Sequence, residues 1–194
     1  SAKLEKFNLI AKEPDLIINR MIIETSMSDS VLSWNGFEIE MPATNLISKG
    51  SVPLNKIEQS VIDLEISPLA IEDMEGWIEG FFGSPEIKLH ISKNDDADKK
   101  GSKIYFSLKE QNQSVVLSGD LFETDNMPAY KIILETNNIN AAHWTGNPEM
   151  FSNITGSMQI NGEGFNIKEN NVSLDAKFTG VQYDRYQIDS LTMN

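Results

Sequence analysis

The sequence predicts a mainly antiparallel all-β protein with one or two short helices, built as an elongated, curved or U-shaped β-sheet groove; a closed β-sandwich is the alternative. Three observations predict it. Apolar and polar residues alternate with period two along most of the chain, the sign of strands with one dry and one wet face. Clusters of Asn, Asp, Gly and Pro separate the alternating runs at short intervals, which favours hairpins between sequential strands. The order of strand, glycine, strand and short helix then recurs when the chain is shifted by 69 or 70 residues.

Taken in chain order, Phe37, Ile39 and Met41 alternate with Glu38 and Glu40, so the carboxylates mark a wet strand face. The helical pattern is concentrated in Pro68 to Phe82, where Ile71, Met74, Trp77, Ile78 and Phe81 recur at three- and four-residue spacing behind Ser67 and Pro68. Strands follow at Ile87, Leu89, Ile91, at Ile104, Phe106, Leu108, and at Val115, Leu117. Turn signals stand at Asn94-Asp95-Asp96 through Lys100-Gly101, Asp125 through Pro128, Asn161-Gly162-Glu163-Gly164 and Asn170-Asn171. Asn140 to Trp144 reads as a single helical turn stopped by Gly146-Asn147-Pro148, and Val172, Leu174, Ala176 and Phe178 make a further strand.

In the internal repeat, Gly50 falls on Gly119 with Leu46 and Ile47 on Val115 and Val116. After one inserted residue, Ile62, Leu64, Glu65 and Gly76 fall on Ile132, Leu134, Glu135 and Gly146, and a third copy is expected to begin at Thr155-Gly156-Ser157. The chain 1–194 therefore reads as a single fragment of a larger repeat protein, with units at 46–114 and 115–194 and a partial unit at 1–45. Gly50, Gly119 and Gly156 are expected to sit on one line of the sheet and bend it, or else to make room for aromatic rings on adjacent strands.

Composition excludes several classes. A chain of 194 residues with 40% hydrophobic and 23% charged residues is folded, as one large domain or two small ones. The net charge of −13 repels phosphate backbones, so nucleic acid is not an expected partner. The absence of cysteine removes disulfides, thiolate zinc sites and a cysteine nucleophile. No run approaches the roughly 18 apolar residues of a membrane-spanning helix, so a membrane anchor is expected outside this fragment. Ser1-Ala2-Lys3, with no initiator Met and no apolar run behind it, reads as a processing junction.

Chemistry is thinly represented. His90 lies in a strand pattern and His143 in the short helical turn, without HxxxH or HExxH spacing. Asn94-Asp95-Asp96-Ala97-Asp98 lacks the glycine and terminal glutamate of an EF-hand, and Asn161-Gly162-Glu163-Gly164 lacks the strand-to-helix context of a phosphate cradle. No catalytic residue, cofactor or metal is expected, and the chain is not expected to be an enzyme. Trp77, Phe81 and Phe82 fall on the helical pattern and Phe106 and Phe178 on dry strand faces, so core or groove lining suits them better than a carbohydrate platform.

Residues 144–164 carry a resemblance. A short helical piece from Trp144 is followed by Thr155-Gly156-Ser157-Met158-Gln159-Ile160-Asn161-Gly162-Glu163-Gly164, a strand with glycine at the second, eighth and tenth places and apolar residues between. This cadence, continued at 171–178 and 182–191 and found again at 32–39 and 47–52, resembles the repeat boundary of the AsmA-like and TamB-like cell-envelope proteins. The resemblance implies an inner-membrane-anchored protein crossing the periplasm of a diderm bacterium. It further implies an apolar β-groove that carries lipid between the membranes, helps assemble outer-membrane proteins, or both. Phospholipid acyl chains and outer-membrane protein strands are the implied partners. The alternative function is a periplasmic or surface β-sandwich module that binds glycan or protein. If the groove forms, Ile132, Leu134, Met158, Ile160, Leu174, Ala176 and Phe178 line it, because they occupy the dry faces of successive strands; a sealed core would use the same residues.

Overall fold

A computed structural model of the chain describes residues 2–4, 9–12, 15–74, 81–94, 101–124, 127–164, 171–183 and 186–193. The strands are β1 (Ala2–Leu4), β2 (Leu9–Lys12), β3 (Asp15–Ile18), β4 (Arg20–Ser28), β5 (Val31–Glu40), β6 (Asn45–Pro53), β7 (Val61–Ile66), β8 (Glu86–Lys93), β9 (Gly101–Glu110), β10 (Gln113–Thr124), β11 (Met127–Ile139), β12 (Ile154–Glu163), β13 (Asn171–Tyr183) and β14 (Tyr186–Met193). The helix α1 (Ala141–Thr145) separates β11 from β12. Twelve strands form one open, curved sheet in the order β1, then β4 through β14, antiparallel at every pairing. The β2–β3 hairpin is the only other sheet among the described residues. Among the described residues no second sheet of comparable size faces the first, so they form an open sheet and not a closed sandwich.

Local chemistry explains the connections. The β4–β5 turn places Asp29 and Ser30 at φ of 49° and 63°, the left-handed geometry of a two-residue hairpin. Asn140 caps α1 by accepting from the Ala142 amide at 3.1 Å, and Gly146 ends it at φ 66°. This is the single turn expected from the sequence. The longer helix expected over Pro68–Phe82 is not seen in its described part, which contains one 3-10 turn at Ile71–Asp73. Its backbone is engaged elsewhere: the Leu69 amide donates to the Pro85 carbonyl, the Ala70 amide to the Thr44 hydroxyl, and the Phe82 amide to the Trp144 carbonyl. Trp77 and Ile78 lie outside the described residues. So does most of the Asn94–Asp98 loop. The strand β12 continues through Asn161, Gly162 and Glu163, so the turn expected there begins only at Gly164, whose φ is 78°.

The pairing register turns the sequence repeat into geometry. A shift of 69 or 70 residues carries β6–β9 onto β10–β13 and keeps each residue in its transverse row. Leu46, Ile66, Ile87 and Leu108 share a row with Val115, Thr136, Gly156 and Phe178. Gly50, Ile62, Ile91 and Ile104 share the next-but-one row with Gly119, Ile132, Ile160 and Leu174. Both four-strand sets carry a helical turn between their second and third strands.

Two expectations about the glycines fail here. Gly156 takes the row position of Ile87, not that of Gly50, so the third copy does not begin there and the three glycines do not share one line. Nor do they share one distortion: bulges lie beside Gly50, at Trp34/Phe37, and beside Gly156, at Thr136/Ile139, while Gly119 sits in a regular ladder. The aromatic alternative fits two of them. A Cβ on Gly50 would stand 2.6 Å from the Trp34 ring, and one on Gly156 2.5 Å from the Phe178 ring.

Candidate functional site: an uncovered apolar sheet face

Side-chain alternation gives the sheet two unlike faces. One carries charge: Lys88 and Glu65 pair at 3.0 Å, Lys49 and Asp63 at 3.7 Å, Arg20 and Glu38 at 3.9 Å, and His90 meets Asp63 at 2.5 Å. Glu65 beside Lys88, chiefly by accepting its hydrogen bond, holds that ammonium above its ordinary range.

The opposite face is apolar in three successive rows. The middle row runs Leu64, Leu89, Phe106, Leu117, Leu134, Met158 and Ala176 from β7 to β13. The flanking rows are the two described above. Nine strands, from β5 to β13, thus present apolar side chains over about 38 Å at a strand spacing of ~4.8 Å. Phe37 and Ile39 extend the face onto β5, and Trp34 lies over Gly50 with its indole N–H donating to the Ser48 hydroxyl at 3.0 Å. Curvature of the sheet shields this face only in part. Apart from Ala176, at 5% exposure, the floor side chains are half-buried.

The structure brings the expected residues together. Ile132, Ile160 and Leu174 are cross-strand neighbours in one row, Leu134, Met158 and Ala176 in the next, and Phe178 stands in the third opposite Gly156. The same face also holds Ile62, Leu64, Leu89, Ile91, Ile104 and Leu117. Their alternation was legible, but their membership of a common face needed the pairing order.

Both ends of the strands bound this floor. The end carrying residues 67–85 and 140–153 is covered. Gln113 shares the facing of Val115 and Leu117, and the Trp144 indole donates to it at 2.9 Å, which seats α1 over the apolar side. Phe81 packs on Trp144 with ring centroids 5.3 Å apart. Glu110, facing the same way, has Oε2 3.1 Å from Nε2 of His143; both atoms are shielded from solvent, and the pair lacks hydrogen-bond geometry. Thr44, Leu69, Ala70, Asp73, Gln113 and Ser152 are all buried at this end. Asp73 accepts from the Ala43 amide at 2.8 Å and so ties the β5–β6 and β7–β8 connections together.

At the opposite end a 3-10 turn, Ile57–Gln59, arches beside the floor and is fixed by the Ser102 hydroxyl donating to the Glu58 carbonyl at 2.7 Å. A cavity of about 660 Å³ lies there, with Val52, Ile57, Ile62, Ile91, Ile104 and Leu121 among its walls. Nothing in the sequence pattern marked this turn except two apolar residues, Leu54 and Ile57, in an otherwise polar connection.

Histidines and acids do not converge. His90 is on the charged face and His143 within α1, and no group of three or more His, Cys, Asp or Glu suited to a metal ion occurs among the described residues. No helix among them is long and apolar enough to cross a membrane. Comparison of the chain with protein-family models, with curated proteins and with solved structures finds no match.

Proposed function

We propose that the chain is a non-enzymatic segment of a periplasm-spanning envelope protein of the AsmA-like and TamB-like kind, whose apolar β-groove carries phospholipid acyl chains between inner and outer membrane. The observation that carries this reading is the uncovered apolar face, continuous across nine strands and lacking a second sheet to close it. Exposed apolar area costs roughly 25 cal/mol per Å². A face of this extent is therefore stabilised by an apolar occupant, and a surface patch of this kind marks an interaction site in folded proteins. Acyl chains need no polar partner from the floor, which agrees with rows of Ile, Leu, Met and Phe. Membrane anchorage and periplasmic location belong to the same proposal and rest on the resemblance in residues 144–164.

Site-specific photocrosslinking in envelope-derived protein tests it. A photoreactive side chain at Met158 should capture phospholipid, whereas one at Gln159, on the opposite face of the same strand, should not. Equal capture at both positions, or capture at neither, would sink the reading.

A further inference from the structure

We infer that the cavity beside the Ile57–Gln59 turn seats the headgroup-proximal part of a lipid and selects a zwitterionic, amine-bearing headgroup over an anionic one. This rests on the lipid reading above and adds the substrate class. The cavity is apolar within, through Ile62, Ile91, Ile104 and Leu121, so it accepts hydrocarbon. Among the described residues, the charged groups lining it are Glu58 and Glu123. On the same sheet face, Lys93 stands across the β8–β9 pair from Ser102, which does line the cavity. The described residues of the mouth therefore offer two carboxylates, a hydroxyl and one adjacent ammonium. A phosphate-plus-amine headgroup finds a complement to both of its charges there. A headgroup with phosphate alone meets the two acids uncompensated, on a chain whose net charge is already −13.

The covered end of the sheet offers no comparable entry, because Trp144, Phe81 and the 67–73 connection occupy it. The turn beside the cavity differs in that Ile57 is 67% exposed and Leu54 51% exposed, apolar surface placed where a chain would enter.

The experiment compares short-chain, soluble phosphatidylethanolamine and phosphatidylglycerol with identical acyl chains, titrated calorimetrically into the 194-residue chain at low salt. The ethanolamine lipid should bind about three- to ten-fold more tightly, the range expected from two exposed charge contacts. The preference should shrink as salt is raised. The double substitution Glu58→Gln with Glu123→Gln should abolish the preference by improving glycerol-lipid binding, while acyl-chain-dependent binding persists. Ile57→Ser, at a position too exposed to threaten folding, should weaken both lipids. Equal affinities in the unsubstituted protein, or a preference that survives the double substitution, would overturn headgroup selection and leave the groove reading standing. No effect of Ile57→Ser would overturn the location. Failure of either lipid to bind, together with no capture at Met158, would overturn both proposals.

Discussion

Gln113 and Leu117 lie four residues apart on β10 and face the same side of the sheet, yet Gln113 is 7% exposed beneath Trp144 while Leu117 is only half-buried on the open floor. The inversion of the usual order, polar inside and apolar outside, separates two regions made from the same strands. At the covered end, connections double back over the sheet and satisfy their buried polar groups pairwise: Trp144 with Gln113, Thr44 with the Ala70 amide, Asp73 with the Ala43 amide, and the Ser152 hydroxyl with the Ala141 amide. On the floor polar side chains are few, Ser48 and Thr136 among them, and no second sheet of the described residues lies across it. Stability is thus concentrated at one end, and the broad apolar surface is left for something else to occupy.

Substitutions sharpen this contrast. The largest effect is expected from Trp144→Ala, which removes a buried ring and leaves the Gln113 side-chain oxygen with the Asn140 amide alone; it should cost about 3–5 kcal/mol in urea unfolding. Asp73→Ala comes next, since the Ala43 amide loses a charged acceptor in a buried setting, at about 1.5–3 kcal/mol. Gly156→Ala drives a methyl group against the Phe178 ring and the Lys177 carbonyl, within 2.5 Å of each, and should cost about 1–3 kcal/mol. On the floor the expectation reverses. Leu174→Asp should leave a folded protein, destabilised by only about 1–2 kcal/mol because the residue is not fully buried, while lipid capture falls. Unfolding by Leu174→Asp with a well-tolerated Trp144→Ala would mean that the floor is the true core, and the comparison would collapse.

The smallest effect belongs to the charged face. Lys88 is raised in pKa by Glu65, so its contribution is fully present below the unfolded value of 10.5 and is lost as pH rises through the higher folded value. Lys88→Met should therefore be indistinguishable from the parent in urea midpoint at about pH 7 once salt screening is included. Any stability difference between the two should stay constant through neutral pH and change on the alkaline side as Lys88 loses its proton. A difference that already changes between about pH 6 and pH 8 would show that the face carries more than solvated ion pairs.

Much of the floor was legible residue by residue. Alternation assigned Ile132, Leu134, Met158, Ile160, Leu174, Ala176 and Phe178 to dry faces, because a strand's side chains alternate regardless of what it packs against. The turn at Asn140–Gly146 was equally legible, since its cap and its left-handed glycine are local. The segment after Pro68 misled for the opposite reason: its three- and four-residue spacing suited a helix, but amides of Leu69 and Ala70 found acceptors at Pro85 and Thr44, far away in sequence. The Ile57–Gln59 turn had only the apolar Leu54 and Ile57 to mark it, and the Glu110–His143 contact had no local signal.

The sequence by itself thus determined what each strand could do: which face is apolar, where chains reverse, and that the unit recurs after about 69 residues. These properties follow from the chemistry of neighbouring residues and the period of the backbone. Only the tertiary structure decided that β6–β9 and β10–β13 share their rows, that Gly50 and Gly119 align while Gly156 stands two same-face positions away, and that the apolar face belongs to an open, curved sheet. Register and coverage depend on which distant segments meet, and that is set by the summed pairing of the whole sheet, which no local window contains.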